Sequence, residues 1–464
     1  MDFEKVITQL DDALQPENSF DLVKRNLIIG GRRAVLYFID GFIKDEVFEK
    51  MMEFFFKIKS DELSGVENMD DFSKRFIPYV EAEAAYDPEK VVTEVLSGPC
   101  ALLLDGIEGV MLIDTRQYPA RSISEPEKDR SLRGARDGFV ETLIFNTAMI
   151  RRRIRDSRLR MEYHRVGTGS KVDVAICYID GKVNQKLLKT LRQRLDAVKV
   201  EGISMTQQAL SELLIPTSVF NPFPKVKFSE RPDYASACAI EGKILLVMDN
   251  SPAVMILPTS FADFSKEAND YYFPPITSTY IRIVRLIISL LTVYLIPIFL
   301  LFVQMPDHVP DFLKFILPES KDGMMPILAQ LLILEVVIDG LRLASLNTPE
   351  NLSSSLSIIG GLLLSDFAIQ CGWFATDCIL YMSFVAIASF CQPSFEMGYA
   401  QKFMRIVLLV AVQLWHFWGL LGGTAFFILV MLLSQTMLGK KYCYPVFPFN
   451  AKDFAKLFVR TKIK

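Results

Sequence analysis

Residues 286–304 read LIISLLTVYLIPIFLLFVQ, a run of 19 residues without a charged side chain. A helix needs about 20 mostly apolar residues to cross the hydrocarbon core of a bilayer. The run therefore predicts a membrane-spanning helix, with a kink at Pro297. Arg282 and Arg285 stand just before it. Because basic residues favour the cytosolic side, the chain is expected to enter the membrane here from the cytosol.

The composition of the chain changes near residue 280. Charged residues recur every few positions before that point, whereas long apolar runs dominate residues 283–438. The sequence therefore predicts an α/β part of two small mixed cytosolic subdomains, followed by an all-α polytopic transmembrane domain. The predicted domains are residues 1–165, 166–278, 279–440 and a cytosolic C-terminal tail at 441–464.

Four further apolar stretches follow the first one, at residues 325–345, 357–374, 378–392 and 406–438. The last has 33 residues, and Gly422-Gly423 predicts a tight turn between two short helices. Counting residues 325–345 as a span gives six crossings and places both termini in the cytosol, as the basic flanks require. A re-entrant or interfacial helix is the alternative for this stretch.

Ionisable residues interrupt the apolar half of the chain. Glu335, Asp339 and Arg342 share one face of the helix predicted over residues 325–345, and Asp366 lies in the next apolar stretch. Charged groups in a membrane usually face protein or water, so one interpretation is an aqueous path whose acids favour cations. The alternative is structural, with an Asp339–Arg342 pair and Glu335 bonded to a neighbouring helix.

The N-terminal half alternates short strands with amphipathic helices, such as the helix predicted over residues 45–57. Four strands end in an acidic turn, and their spacing hints at repeated units without enough similarity to indicate duplication. They are AVLYFIDG (34–41), ALLLDG (101–106), VAICYIDG (174–181) and KILLVMDN (243–250).

Residues 138–160 predict one long helix that ends in RRRIRDSRLR. The arginines are interpreted as a solvated face paired with acids or as a subunit contact, in preference to a nucleic-acid site, because the formal net charge of the chain is only −3. An anionic membrane surface is a further alternative.

Several classes of function are not indicated by any motif. The seven cysteines include no C-x-x-C pair, the three histidines are far apart, and no phosphate-binding loop is present. We therefore expect no metal, no cofactor and no enzymatic activity. The opening sequence MDFEKVITQLDDAL has no apolar signal-peptide core, which predicts that the N-terminal half stays in the cytosol.

Four stretches together resemble a known family. They are RSISEPEKDRSLRGARDGFVETLIFNTAMIRRRI (121–154), FNPFPKVKFSERPD (220–233), GKILLVMDNSPAVMILPTSF (242–261) and LLILEVVIDGLR (331–342). Their order resembles the A subunits of the GerA-type spore germination receptors of endospore-forming bacteria, and is most similar to the stage V sporulation protein AF branch.

The resemblance implies an integral multi-pass protein in the inner membrane of the spore. Its expected partners are membrane lipid, further copies of itself in a ring-like, ion-conducting assembly, and a membrane protein of the germination machinery. It implies either an accessory role in ion release early in germination or a nutrient-receptor role.

The resemblance also marks a set of motif residues as candidates for subunit contacts, tight turns and a stiff connector, with fold-specific packing as the alternative. They are Arg121, Glu125, Pro126, Arg133, Gly134, Arg136, Gly138, Glu141, Asn221, Pro222, Arg231, Pro232 and Asp233.

Overall fold

A computed structural model describes most of the chain, and the backbone divides into two compact units. The first comprises Met1–Pro216 and Val226–Thr259, and the second comprises Thr217–Lys225 and Ser260–Lys464. The described residues are 3–118, 134–203, 206–215, 220–267, 269–317, 325–347, 371–434, 436–437 and 442–460.

The first unit begins with an antiparallel sheet of five strands in the order β1-β2-β4-β5-β3. Its strands are β1 (Leu22–Ile29), β2 (Arg32–Ile39), β3 (Ala82–Ala85), β4 (Cys100–Leu104) and β5 (Val110–Ile113), and its helices are α1 (Phe3–Leu14), α2 (Asp45–Lys57), α3 (Met69–Phe76) and α4 (Pro88–Ser97). Gly30 and Gly31 turn β1 into β2 with φ of 52° and 76°, values that favour glycine in a two-residue hairpin.

Side chains alternate across β2 and bury both faces of the first sheet. Val35, Tyr37 and Ile39 join a core with α1 and α4, whereas Ala34 and Leu36 join a core with α2 and α3. This period of two is the one expected for a strand. The sheet is therefore the middle layer of a three-layer subdomain.

The second sheet is also antiparallel, in the order β6-β7-β9-β10-β8. Its strands are β6 (Leu159–Val166), β7 (Val172–Ile179), β8 (Lys227–Ser229), β9 (Ile244–Met248) and β10 (Val254–Leu257), and its helices are α5 (Leu143–Arg153), α6 (Gln185–Asp196), α7 (Thr206–Leu214) and α8 (Pro232–Ile240). Helices α5 and α8 pack against β7 and β9. Because both sheets are purely antiparallel, the mixed subdomains predicted from the sequence are of the α+β kind.

The two sheets share one topology, since each has its first, second, fourth, fifth and third strands side by side. The turn contacts recur as well. After β2, the amide of Asp40 donates to the carbonyl of Asp21 at 2.8 Å, and after β7 the amide of Asp180 donates to that of Arg158 at 2.9 Å.

A second pair of turns matches in the same way. After β4, the amide of Asp105 donates to the carbonyl of Arg33 at 2.8 Å, and after β9 the amide of Asp249 donates to that of Asp173 at 3.0 Å. The four acidic turns noted in the sequence are therefore two equivalent pairs, and the shared strand order indicates an internal duplication.

The long helix predicted over residues 138–160 is wrong. Helix α5 is shorter, and the chain then turns at Asp156, whose carboxylate accepts from the amide of Arg158 at 2.9 Å. Strand β6 follows at once and pairs along its length with β7. The second sheet therefore begins before residue 165, the predicted limit of the first subdomain.

The second unit is helical among its described residues. Its helices are α9 (Phe261–Phe264), α10 (Asn269–Tyr272), α11 (Pro275–Gln304), α12 (Ile327–Asn347), α13 (Thr376–Phe390), α14 (Phe395–Leu433) and α15 (Ala451–Phe458), and short 3-10 turns lie at Pro306–His308 and Asp311–Ile316. Buried apolar side chains of α11, α12, α13 and α14 form one core.

Helix α14 consists of two helical arms that meet at His416, where φ is 51° and ψ is −126°. Met397 and Ala400 of the first arm pack with Phe427 of the second, so the arms fold back on each other. The two predicted helices are present, but the turn is not at Gly422-Gly423. Gly423 instead permits close packing, since a Cβ there would lie 2.7 Å from Leu408 Cδ2.

Among the described residues, α11 and α14 are long and apolar enough to cross a membrane by length and composition. Helix α12 has 21 residues but carries three charges, and α13 has only 15 residues. Most of the apolar stretch at 357–374 lies outside the described residues. The six-crossing arrangement therefore stays a prediction.

Candidate functional site

A charge network lies inside the apolar second unit, and its centre is the pair formed by Glu335 on α12 and Arg405 on α14. Their exposed fractions are only 2% and 4%. Arg405 Nη2 donates to Glu335 Oε2 at 2.9 Å, and Nε donates to the other carboxylate oxygen. Arg405 Nη1 donates to the carbonyl of Thr292 on α11 at 2.7 Å. One guanidinium therefore joins three helices, two of them by a bidentate contact.

Lys402 extends the network by one helical turn. Its Nζ lies 3.4 Å from Glu335 Oε2, donates to the Glu335 carbonyl at 3.0 Å, and pairs with the carboxylate of Asp339. Asp339 is the more accessible acid, with 29% of its side chain exposed. The acids are four residues apart on α12 and the bases three apart on α14, so each pair shares one helix face. The four charges sum to zero.

Arg342, which shares α12 with these acids, lies in an aromatic setting at the junction of α13 and α14. Its guanidinium lies 4.8 Å from the ring centroid of Phe390, with Phe395 and Tyr399 within 6 Å, and Nη2 donates to Ser389 Oγ at 2.7 Å. Such contacts combine cation–π attraction with a hydrogen bond. Asp339 thus pairs across to α14 and not along its own helix to Arg342.

A second network fixes the start of α11. Asp270 is buried, and its carboxylate accepts from Arg282 Nε at 3.0 Å and lies 3.4 Å from Arg285 Nη1. Arg285 also donates to Glu267 at 2.6 Å and to the carbonyl of Ser265 at 2.9 Å. Arg282 and Arg285, which the sequence predicts to flank a membrane span, therefore anchor α11 to the segment before it.

Three motif stretches of the first unit meet at one place. Phe139 donates from its amide to the carbonyl of Glu230 at 2.8 Å, and the amide of Asn250 donates to the carbonyl of Glu141 at 2.7 Å. The amide of Leu143, at the start of α5, donates to Asp249 Oδ1 at 3.0 Å. The three motif stretches are therefore in contact with one another within one subdomain.

Arg231, Pro232 and Asp233 belong to the same place. Arg231 is buried, pairs with Asp233 at 2.6 Å, and donates to the carbonyl of Ala135 at 3.2 Å, while Pro232 begins α8. Gly134 has a φ of 108°, as a tight turn requires. Gly138 does not have a positive φ, so its backbone does not need a glycine for a turn of this kind.

The remaining motif residues fall in other places. Arg136 borders a cavity of the first unit. Asn221 donates to Ser434 Oγ at 2.7 Å within the second unit, next to Pro222. Outside the described residues lie Arg121, Glu125, Pro126, Arg133 and Asp366.

Three of the six arginines between residues 151 and 160 pair with acids of their own unit, namely Arg151, Arg153 and Arg158. Arg151 is fully buried and donates to both carboxylate oxygens of Asp21, at 2.7 and 3.0 Å, and to Ser19 Oγ at 3.1 Å. Arg153 pairs with Asp137. The predicted pairing with acids is therefore present, but Arg151 and Arg160 are buried, so the predicted solvated face is wrong for these two residues.

One carboxylate of the second sheet has a strongly shifted pKa. Burial raises the pKa of Glu162, but hydrogen bonds from His164, Arg192 and Tyr178 outweigh burial and hold it at about 2. Arg192 Nε donates to this carboxylate at 2.7 Å. The group is therefore ionised and firmly held at neutral pH.

Within the described parts of the chain, no group of three or more His, Cys, Asp or Glu side chains has an arrangement that would hold a metal ion. The seven cysteines form no disulfide, and five of them are buried.

The sequence identified the two acids of the buried network but not their partners. Lys402 and Arg405 stand just before the apolar stretch at residues 406–438, a position that predicts basic flanks of a membrane span and not partners of these acids. The spacing of the two bases was the available signal. Two bases three residues apart share one helix face, as do two acids four residues apart, so the two pairs can meet where the helices pack. In chemical terms the arrangement neutralises two carboxylates that would attract cations if water reached them.

Comparison with known proteins gives a consistent set of similarities. The model of the family described as "Bacillus/Clostridium GerA spore germination protein" matches residues 9–464. Stage V sporulation protein AF of Bacillus subtilis (strain 168) is 35% identical over 443 residues, which cover 96% of this chain and 89% of that protein. Spore germination protein A1 of the same organism is 27% identical over 448 residues, covering 96% and 91%.

A solved structure is similar to part of the chain. The crystal structure of the N-terminal domain of the A subunit of the Bacillus megaterium spore germinant receptor GerK3 matches with 25% identity and a TM-score of 0.42. The match covers 55% of this chain and 94% of that one.

Proposed function

Because the chain belongs to the GerA family of spore germination proteins, we propose that it is a membrane component of germination that acts as an ion-channel-like subunit. In this proposal several copies assemble in the inner membrane of the spore and promote ion release early in germination. The N-terminal unit lies in the cytosol, and helices of the second unit cross the bilayer.

The observation that supports this proposal is the buried network of Glu335, Asp339, Lys402 and Arg405. Burying a charge in an apolar setting costs several kcal/mol unless it is paired. Charged residues within membrane helices usually serve ion paths or polar contacts between helices. Because apolar residues of similar size often fill such a site with no loss of stability, the presence of four paired charges between two apolar helices supports a role beyond packing.

We assign different roles to the two acids. Glu335 accepts two bonds from Arg405 and is almost fully buried, so it holds α12 against α14. Asp339 is partly exposed and has Lys402 as its ion-pair partner. When α12 and α14 separate, Asp339 faces water first and attracts cations to the opening. The closed state keeps the same acid neutralised.

The test is the cation preference of the full-length protein in planar bilayers. Asp339→Asn keeps the size of the side chain but removes its charge, so the reversal potential in a KCl gradient is expected to move toward zero. The matched control is Asp311→Asn, which removes an acid whose side chain is 94% exposed. An unchanged reversal potential in Asp339→Asn, or an equal change in the control, would exclude Asp339 from the ion path.

The same variant has an expected effect in spores. Asp339→Asn protein is expected to reach the inner membrane in normal amounts while cations leave the spore more slowly. Normal release with a normal protein level would contradict the proposed role.

A cavity in the first unit favours a second candidate function, a receptor subunit that binds a germinant. The cavity measures about 1650 Å³ and is lined in part by Tyr118, Arg136, Phe145 and Arg152. The guanidinium of Arg152 lies 4.4 Å from the ring centroid of Tyr118, and such a surface suits a small molecule with a carboxylate. Binding of amino acids to the purified full-length protein would favour this function, and absence of binding would favour the channel.

A further inference from the structure

The chain continues after α14 with an aromatic, basic segment at residues 442–460, called here the C-terminal segment. It includes α15 and leaves several large apolar side chains exposed, among them Val446, Phe447, Phe449 and Val459. Phe449 is the most accessible of them, with an exposed fraction of 67%. Exposed groups of this size, close together, usually mark a contact surface.

The C-terminal segment is fixed to the second unit at both ends. Tyr442 is fully buried, and its ring packs near those of Phe223 and Phe264, with centroids 6.2 and 6.4 Å away. Arg460 Nη2 donates to the carbonyl of Tyr271 at 2.7 Å, and its amide donates to Thr279 Oγ1 at 3.2 Å. The segment therefore lies beside the first turns of α11 and the end of α14.

The first turns of α11 add to this exposed apolar surface. Ile276 and Tyr280 are exposed by 81% and 68%, and α15 packs against the same helix. Because α11 and α14 are the two helices with the length and composition of membrane spans among the described residues, the surface lies at the level where such helices leave a bilayer. Aromatic residues favour this level of a membrane.

The charge of this part of the chain is strongly positive. The C-terminal segment itself contains three basic residues, Lys452, Lys456 and Arg460, and one acid, Asp453, for a net side-chain charge of +2. Four further lysines flank it in sequence, Lys440, Lys441, Lys462 and Lys464, which brings the net side-chain charge of residues 440–464 to +6. Basic residues next to exposed aromatic groups bind anionic lipid headgroups. Two copies of this chain that met through this same surface would bring like charges together, which disfavours this surface as a contact between copies.

We propose that the C-terminal segment lies on the anionic headgroup layer of the membrane, with Phe447 and Phe449 inserted at the boundary between headgroups and acyl chains. Ile276 and Tyr280 continue this contact from α11. The proposal rests on the membrane location given under the proposed function. It assigns a specific lipid class to a surface with several partly exposed apolar side chains.

The test places a tryptophan in the segment of the full-length protein. Phe449→Trp protein is reconstituted in vesicles of phosphatidylcholine and phosphatidylglycerol, with lipid brominated near the headgroup as a quencher. The added emission, relative to the parent, is expected to be quenched by this lipid and shielded from iodide in the water. Phe54→Trp, on an exposed position of α2 in the first unit, is the control and is expected to show the opposite pattern.

Native tryptophans separate the failure of this proposal from failure of the membrane location. Trp415 and Trp418 are exposed beside the turn of α14. If lipid bromine quenches them but not the added emission of the Phe449→Trp variant, the C-terminal proposal is wrong while the membrane location stands. If lipid bromine quenches neither the native tryptophans nor the added emission of the Phe449→Trp variant, the membrane location itself is wrong. Shielding from iodide without quenching by lipid would indicate a protein contact and overturn the proposal.

The role of anionic lipid has its own measurement, made in the Phe449→Trp background. The added change Lys452→Ser/Lys456→Ser lowers the charge of the segment by two. Each basic residue contributes about fivefold to binding of an anionic surface. The preference of the segment for anionic over neutral vesicles is therefore expected to fall about 25-fold. Equal quenching of the Phe449→Trp emission in vesicles of phosphatidylcholine alone would refute the anionic part of the proposal.

Discussion

Glu335→Gln is expected to destabilise the helical unit while leaving its shape intact. The substitution removes the negative charge but leaves Arg405 buried, at 4% exposure, with the carbonyl of Thr292 and a neutral amide as its hydrogen-bond partners among the described residues. Breaking a buried ion pair from one side costs about 3–5 kcal/mol, because the other charge remains uncompensated. We expect a loss of that size in the free energy of unfolding.

The double variant Glu335→Leu/Arg405→Met gives a contrasting expectation. Apolar residues of similar size often replace a buried ion pair with no loss of stability, and Lys402 keeps Asp339 as its partner. The double variant is therefore expected to unfold within about 2 kcal/mol of the parent. Its recovery relative to the single variant measures the coupling between the two charges.

The assay is denaturant unfolding of the purified full-length protein in detergent, followed by tryptophan fluorescence. Asp311→Asn is the control for loss of an acid from this unit and is expected to change stability by less than about 1 kcal/mol. The reasoning would be refuted if Glu335→Gln were as stable as the parent. It would also be refuted if the double variant were as unstable as the single one.

Two further predictions concern the hairpin of α14 and the second sheet. Gly419→Ala is expected to weaken the hairpin, because the added Cβ would overlap the carbonyl oxygen of Ala411. Gly422→Ala is the control, since a Cβ there meets no atom within 4 Å. Thermal unfolding of both variants in detergent checks this prediction, and equal melting temperatures would contradict it. Glu162 has a folded-state pKa of about 2, below its unfolded value of about 4.3, so its contribution to stability is present above pH about 4.3 and is lost as the pH falls toward 2. Amide exchange in β6, corrected for intrinsic rates, is therefore expected to accelerate between about pH 5 and about pH 3 more in the parent than in Glu162→Gln. Equal acceleration in the two proteins would contradict the lowered pKa of Glu162.

The apolar helices and the short strands were predictable because each has its own periodic signal. The uncharged run at 286–304 lies within α11, and the strands that end in acidic turns are β2, β4, β7 and β9. The helix predicted over residues 138–160 failed for a physical reason. A run of arginines is compatible with a helix, but Arg151 and Arg160 are buried by contacts with residues far away in sequence, and no local pattern reveals such contacts.

The candidate site was half predictable. Charged residues in an apolar run stand out, so Glu335 and Asp339 were found. Their partners lie more than 60 residues further along the chain, and which bases meet which acids depends on how α12 packs against α14. The turn at His416 was missed for a similar reason, because a Gly-Gly pair is a stronger local turn signal than a histidine. Here Gly423 instead allows the two arms of α14 to pack closely.

The matching strand order of the two sheets makes each half of the N-terminal unit a reference for the other. Gly106 and Asn250 occupy the same turn, after the fourth strand of each sheet, and both have positive φ, 76° and 60°. The first half keeps the residue that suits this backbone best. In the second half an asparagine stands there, and its main-chain amide donates to the main-chain carbonyl of Glu141, in the motif that leads into α5. Equivalent positions that carry different residues can therefore be compared directly, by substitutions that transplant one half's residue into the other.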